Sequence, residues 1–194
     1  MMTHIAIITE LKIIAPLEVF SKLSGHNKTI RGKNMKNLMS ITLLSVLVFL
    51  NAKAASAMPS VGDWVRYDGI YSAHAFTLEQ TLTEYDTSAQ KFKLVETVDF
   101  GQGPKTTESW KALNELASTD MVEYVLAHCA EQKGTLERVS VKAGSFDTCK
   151  LPTDDGKGTI NAAPVPFAIV KAHIIDAKTG QPVDLELSSY KNGQ

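Results

Sequence analysis

Residues 134–152 constrain the fold more than any other stretch of this chain. Two runs with alternating apolar and polar residues flank Lys142-Ala143-Gly144. Glycine tolerates the positive φ that a tight turn needs, so the pattern predicts a β-hairpin. The second arm carries Cys149, and Cys129, the other cysteine of the chain, lies just upstream. A bond between these two sulfur atoms would tie the hairpin to the segment before it.

Residues 35–57 have the three parts of a secretory signal peptide. Basic residues precede an apolar run over residues 38–50, and two Ala-x-Ala sequences end at Ala54 and Ala57. The apolar run is shorter than the ~20 residues that a membrane-spanning helix needs, which favours a cleaved signal over a transmembrane anchor. We therefore predict cleavage after Ala57, a periplasmic or secreted location, and no transmembrane anchor in the mature protein.

Residues 1–34 precede Met35, a natural start for this signal. We interpret them as an overextended gene start or an unusually long leader, and we assign them no function. Residues 58–194 are then expected to form a single secreted β-rich domain. This region holds 13 Lys and Arg against 19 Asp and Glu, a net charge of −6. Because nucleic acid requires a basic surface, we do not expect it as a partner.

Alternation of apolar and polar residues recurs along this domain and predicts a mainly β fold of the α+β type. The expected strands beside the hairpin cover residues 61–67, 74–85, 91–100, 106–113, 165–175 and 183–188. Between the fourth strand and the hairpin, apolar residues recur with helical spacing from Met121 to Cys129. The prediction is a single curved antiparallel sheet or half-barrel of about 7–9 strands, with one helix packed on it.

The two cysteines allow two interpretations. One is a structural disulfide between Cys129 and Cys149, which export permits. The other is a reactive thiol activated by the neighbouring His128. The sequence contains no Cys-x-x-Cys redox motif. We predict the disulfide.

No group of residues in the sequence predicts catalysis, a cofactor or a metal ion. The histidines of the domain, His74, His128 and His173, are scattered rather than paired on one short element. Residues 154–159 lack the alternating acidic ligands of a calcium loop and the Gly-Lys-Ser/Thr of a phosphate loop. Ser145 follows Gly144, yet a Gly-x-Ser-x-Gly motif is absent. A non-enzymatic protein is therefore predicted.

The hairpin resembles one found in bacterial exported β proteins. Its arm, Val-Ser-Val-Lys-Ala-Gly-Ser-Phe over residues 139–146, matches a V-x-V-x-A-G-x-F pattern of uncharacterised periplasmic families. The C-terminal half of the chain also looks similar to the wider class of LolA/LolB-like lipoprotein carriers. Residues 165–171 and 185–187 fit two strands of that fold. The resemblance implies a curved, unclosed barrel that cradles acyl chains under a helical lid.

Three functions from different classes follow. The first is a carrier for a lipid or another apolar ligand bound on the concave sheet face, and the second is an envelope module that binds a protein through its sheet surface or edge. The third, a hydrolase, lacks a catalytic constellation. The residues predicted to line the ligand site of the first function are Phe76, Leu78, Phe92, Leu94, Trp110 and Phe167.

Overall fold

The computed structural model of the protein describes residues 58–193. The predicted leader at 1–34 and the predicted signal peptide at 35–57 lie outside the described residues. The strands are β1 (Trp64–Tyr71), β2 (His74–Asp86), β3 (Lys91–Asp99), β4 (Lys105–Ala112), β5 (Thr135–Val141), β6 (Gly144–Pro152), β7 (Thr159–Ala162), β8 (Ile169–Ile175) and β9 (Pro182–Lys191). A short 3-10 helix, Leu113–Glu115, and helix α1, Thr119–Ala127, lie between β4 and β5.

The nine strands form one open antiparallel sheet in the order β4-β3-β2-β1-β9-β8-β7-β6-β5. The first four strands make one meander and the last five make another. Helix α1 carries the chain from the edge at β4 to the opposite edge at β5. The two meanders join where β9 pairs with β1, from Trp64 opposite Lys191 to Tyr71 opposite Val183. The predicted fold class, a mainly β sheet with one packed helix, is confirmed.

One face of the sheet is apolar from strand to strand. Pairing places the following residues in one row, each opposite the next: Leu151, Ile160, Ala172, Leu185, Gly69 and Phe76. We call the face that carries this row the inner face, and the opposite one the outer face. Next to Phe76 in this row, Gly69 leaves room for the Phe76 ring, because an added Cβ would lie 2.5 Å from Cζ of Phe76. Burial of this face supplies the hydrophobic driving force for folding.

Helix α1 packs on the inner face at the β6 and β7 end. Its first turn is capped by Ser118, whose hydroxyl accepts a hydrogen bond from the Met121 amide at 3.2 Å. Val122 and Val125 are buried in a cluster with the following residues of the sheet and of the turn before β8: Cys149, Leu151, Ala162 and Ala168. The helix therefore covers one end of the inner face.

The predicted disulfide between Cys129 and Cys149 is present, with an S–S distance of 2.03 Å. It joins the turn after α1 to β6. The chain then passes close to the sulfur atoms at Gly134, whose amide donates to the carbonyl oxygen of Cys129 at 2.8 Å. A Cβ at Gly134 would lie 2.6 Å from Sγ of Cys149 and 2.8 Å from Sγ of Cys129. Only glycine fits between the disulfide and the start of β5.

The prediction that residues 139–146 turn tightly is also confirmed. Val141 pairs with Gly144, which leaves Lys142 and Ala143 as a two-residue loop, and Gly144 has φ 138°. The tip of this hairpin folds back onto β9, within the same meander. The amide of Ala143 donates to the carbonyl oxygen of Leu187 at 3.2 Å. The second edge of the sheet is thereby tied to β9.

Several boundaries differ from the sequence prediction, among them the end of the last strand, which lies at Lys191 rather than at 188. β1 covers Trp64–Tyr71 rather than 61–67, and the strand expected over 165–175 begins only at Ile169. Pro164 and Pro166 cannot donate ladder hydrogen bonds, and the two residues that follow Pro166 adopt positive φ, so that segment is a turn. β7 was not predicted, because its four residues are nearly all buried and show no alternation.

Candidate functional site

The inner face holds four of the six residues predicted to line a ligand site. Phe76 and Leu78 belong to the main core cluster, and Phe92 and Leu94 belong to a second cluster with Leu82 and Leu116. All four predicted residues are only 1–5 % exposed. Their surfaces are therefore covered by the chain itself in this conformation.

The other two predicted residues lie elsewhere. Phe167 is in the turn before β8 rather than in a strand, with φ 60°, and it packs against both core clusters. Trp110 pairs with Lys93, one position along β3 from Phe92 and from Leu94. Because successive side chains of a strand point to opposite faces, Trp110 lies on the outer face. Trp110 does not share a surface with the other predicted residues.

A small cavity of about 60 Å³ lies where the segments before β1, before α1 and after β9 meet. Its walls include Ser60, Asp63, Thr119, Pro164, Pro166 and Asn192. The carboxylate of Asp63 accepts hydrogen bonds from the amides of Ser60 at 2.8 Å and Gly193 at 2.7 Å. Ligand pockets measure roughly 300 Å³ or more. This cavity has room for about two water molecules and is too small for a ligand of that size.

The described residues do not assemble a metal centre. Within residues 58–193 no three or more His, Cys, Asp or Glu side chains come together as metal ligands. His173 Nδ1 lies 2.7 Å from Oδ1 of Asp184, and the His128 ring stacks on Tyr124 with centroids 4.2 Å apart. In the loop at 154–159, Asp155 accepts hydrogen bonds from the Thr153 hydroxyl and the Lys157 amide, which lower its pKa. Each of these groups is used within the local structure.

The edge strand β4 is the part of the sheet most open to a partner. Among residues 58–193 it ends the strand order and pairs only with β3, along eight residues that include no proline. Residues 105–108 are all exposed. On the outer face of β4, Trp110 is 46 % exposed. An edge of this kind presents unpaired amide and carbonyl groups to any chain that can lie beside it.

A row of charges on the outer face ends at this edge. Lys93 on β3 lies between two glutamates, with its Nζ 3.1 Å from Oε1 of Glu84 on β2 and 3.0 Å from Oε2 of Glu108 on β4. The hydrogen bonds to Glu108 and then to Glu84 raise the pKa of Lys93. The Lys93 side chain is 23 % exposed, whereas both glutamates are 58 % exposed. We call Glu84, Lys93 and Glu108 the charge row.

The opposite edge, β5, is arranged differently. In addition to the bond from Ala143 to Leu187, Lys142 Nζ lies 3.3 Å from Oδ2 of Asp68 on β1, and the Phe146 ring packs edge-on against Tyr190. The hairpin that carries β5 is thus anchored across the second meander. Leu136 on β5 is nevertheless exposed. β4 remains the edge without such a folded-back tip.

No family model matches the sequence, and no curated protein matches it. A proposed exported protein with a YmcC-like fold from Bacteroides fragilis aligns at 11 % identity with a TM-score of 0.37, over 70 % of this chain and 99 % of the other. A proposed lipoprotein from Parabacteroides distasonis aligns at 12 % identity with a TM-score of 0.39, over 69 % of this chain and 97 % of the other. We draw nothing about function from likenesses this distant.

Of the helices in residues 58–193, none has the length and apolar character needed to cross a membrane.

The sequence predicted an exposed sheet edge as one possible binding surface but did not identify β4 as that edge, because the place of a strand in a sheet depends on long-range pairing rather than on its own residues. The one local signal was composition. β4, Lys-Thr-Thr-Glu-Ser-Trp-Lys-Ala, is the most polar strand of its meander, and its charged residues are typical of an exposed edge.

Proposed function

We propose that residues 58–194 form an exported, non-enzymatic protein that binds a protein partner as an added strand beside β4. The observation that carries this proposal is an eight-residue strand paired on one side, with Trp110 nearly half exposed beside the open edge. A partner strand would pair with the outward amide and carbonyl groups of β4. Burial of the exposed part of Trp110 would add about 1–2 kcal/mol.

In the register centred on Glu108, the charges of β4 oppose pairing with a second copy of this chain. If two β4 strands paired antiparallel about Glu108, the two Glu108 carboxylates would face each other. Lys105 of each copy would also lie opposite Lys111 of the other. Like charges directly opposite each other destabilise a strand pair, as in edges that resist self-association.

Export is supported by two independent features. The segment before the domain has the pattern of a secretory signal, and the cysteines of the domain form a buried disulfide. Structural disulfides persist mainly in oxidising compartments outside the cytosol. The protein would therefore meet its partner in the periplasm or outside the cell.

Binding of an acyl chain on the inner face is the second candidate. It is supported by the continuity of that face and by Phe167 and Ala168, two consecutive residues with φ 60° and 63° that lie in or against its core clusters. Non-glycine residues in this conformation store strain that movement can release. Displacement of Phe167 would open the space between the clusters around Phe76 and Phe92. This candidate retains the resemblance to LolA/LolB-like carriers.

Photo-crosslinking in cells distinguishes the two candidates. The photoreactive residue benzoylphenylalanine replaces Thr106 on β4, or Leu136 on β5 as a matched control at the other edge. Cells express all 194 residues, and the protein is purified after illumination. We expect a protein adduct from position 106 and none from position 136. Equal adducts from both positions, or none from position 106, would contradict the proposal.

The same preparation, examined by native mass spectrometry without illumination, tests the second candidate. A co-purifying mass of lipid size would support acyl binding. A mass equal to that of the mature chain alone would count against it.

A further inference from the structure

The charge row carries an excess of negative charge up to the open edge. Two carboxylates share the single ammonium of Lys93, which contacts both at 3.0–3.1 Å. On strands away from the two edges, one cation pairs with one carboxylate. Examples are Arg66 with Glu79 at 3.1 Å and Lys171 with Glu186 at 2.6 Å. The unbalanced carboxylate is the one nearest to where a tenth strand would lie.

We propose that the strand accepted by β4 places a lysine or arginine opposite Glu108. This inference rests on the proposed strand addition and names the chemistry of its partner. The added cation would continue the alternation from Glu84 through Lys93 to Glu108 and neutralise the charge row. Opposite charges directly across neighbouring strands stabilise the pair, whereas a glutamate there would be repelled.

Trp110 sets the position next to this cation. Glu108 and Trp110 are two residues apart on β4 and share the outer face. A partner strand would therefore place two residues of its own, also two apart, opposite them. In an antiparallel partner the residue facing Trp110 comes first, which gives the order apolar-x-basic along its chain.

The test is selection from a displayed library of random ten-residue peptides. The bait is the protein purified from the periplasm of cells that express all 194 residues. It is used as wild type, as Glu108→Lys, and as Glu186→Lys, a control with the same change of net charge on the central strand β9. We expect wild type and Glu186→Lys to enrich apolar-x-basic peptides. We expect Glu108→Lys to enrich apolar-x-acidic ones, with about fivefold weaker binding of the wild-type selection.

A second set of baits shows whether peptides bind at the edge. Amides of successive strand residues point to opposite sides, so one of Thr106 and Thr107 directs its N–H away from β3. Thr106→Pro and Thr107→Pro are made, and the variant that keeps the wild-type melting temperature is the edge-blocked bait. If both proline variants lower the melting temperature, Trp110→Ala serves as the edge-blocked bait instead.

The outcomes separate the two claims. Two outcomes would overturn the charge inference and leave strand addition intact. In the first, the peptides fail to bind the edge-blocked bait but show no preference for a basic residue. In the second, they fail to bind that bait but the preference is the same on Glu108→Lys as on wild type. If no peptide is enriched, or if the peptides bind the edge-blocked bait as well as wild type, both the charge inference and strand addition are overturned.

Discussion

Trp110 and Lys93 lie directly opposite each other across β4 and β3, on the face of the sheet that does not carry Phe92 and Leu94. The most exposed tryptophan position is thus beside a charged residue at an open edge. Its neighbours one step along β3 are among the least exposed side chains of the protein. This arrangement separates a stability face from a candidate recognition face.

The two faces should respond differently to truncation. We expect Phe92→Ala to lower the free energy of unfolding by about 3–5 kcal/mol, because it leaves a cavity in a buried cluster. Trp110→Ala should lower it by less than about 1 kcal/mol, since nearly half of that side chain is already in solvent. Urea denaturation of both variants measures this. Equal losses would mean that Trp110 is part of the core.

Gly134 should be required mainly by the disulfide, since the two sulfur atoms would lie closer to an added Cβ than the carbonyl oxygen of Cys129 at 3.0 Å. An alanine Cβ would overlap both sulfur atoms, so Gly134→Ala should destabilise the oxidised protein by about 1–3 kcal/mol. In a Cys129→Ala, Cys149→Ala background the same change should cost less, because the sulfur atoms are gone. That background itself should be about 3 kcal/mol less stable than wild type. A Gly134→Ala cost that is the same in both backgrounds would refute the steric explanation.

A glycine in the turn between β1 and β2 should make the protein more stable. Ser72 and Ala73 have φ 47° and 69°, a left-handed pair in a two-residue hairpin loop that favours glycine. We expect Ala73→Gly to raise the free energy of unfolding by about 1 kcal/mol. Ala143→Gly in the other two-residue loop is the control. Ala143 is not among the positive-φ residues of the described chain, so glycine there should not stabilise. Thermal melts of both variants decide the question, and stabilisation by Ala143→Gly alone would reverse the interpretation.

Tyr67 should make the protein sensitive to alkali. Burial raises the pKa of Tyr67 well above its usual range, and its hydroxyl donates to the carbonyl oxygen of Ile169 at 3.2 Å. The unfolded chain releases this proton above about pH 10 while the folded protein retains it, so stability is complete below that pH and falls as pH rises.

At neutral pH, Tyr67→Phe should lower the free energy of unfolding by about 1 kcal/mol, because the hydrogen bond to Ile169 is missing. Its stability should then fall less steeply than that of wild type above pH 10, by up to about 1.4 kcal/mol per pH unit. Urea midpoints measured from pH 7 to 11 give both values. Parallel curves for the two proteins would show that Tyr67 does not titrate differently on unfolding.

Local patterns in the sequence predicted much of this fold. Alternation located β2, β3 and β4 to within one residue, and helical spacing from Met121 to Cys129 located α1 to within two residues. The disulfide followed from export and the count of cysteines. These features depend on short-range periodicity or on chemistry, both of which a sequence displays directly.

Long-range features could not be derived in that way. The pairing of β1 with β9 joins residues more than a hundred positions apart, and it decides that β4 rather than β1 is an edge. Trp110 was placed on the inner face because large apolar residues are usually buried, yet pairing with Lys93 fixes it on the outer face. Phe167 was placed in a strand because flanking apolar residues outweighed the two prolines beside it.

Strand addition at β4 is tested most directly by amide hydrogen exchange of the purified protein with and without the partner captured at position 106. We expect residues 105–112 to exchange more slowly when the partner is bound, while residues 135–141 on the opposite edge exchange at an unchanged rate. Unchanged exchange over 105–112, with protection confined to strands β2 and β3 or to β5, would contradict the proposed function.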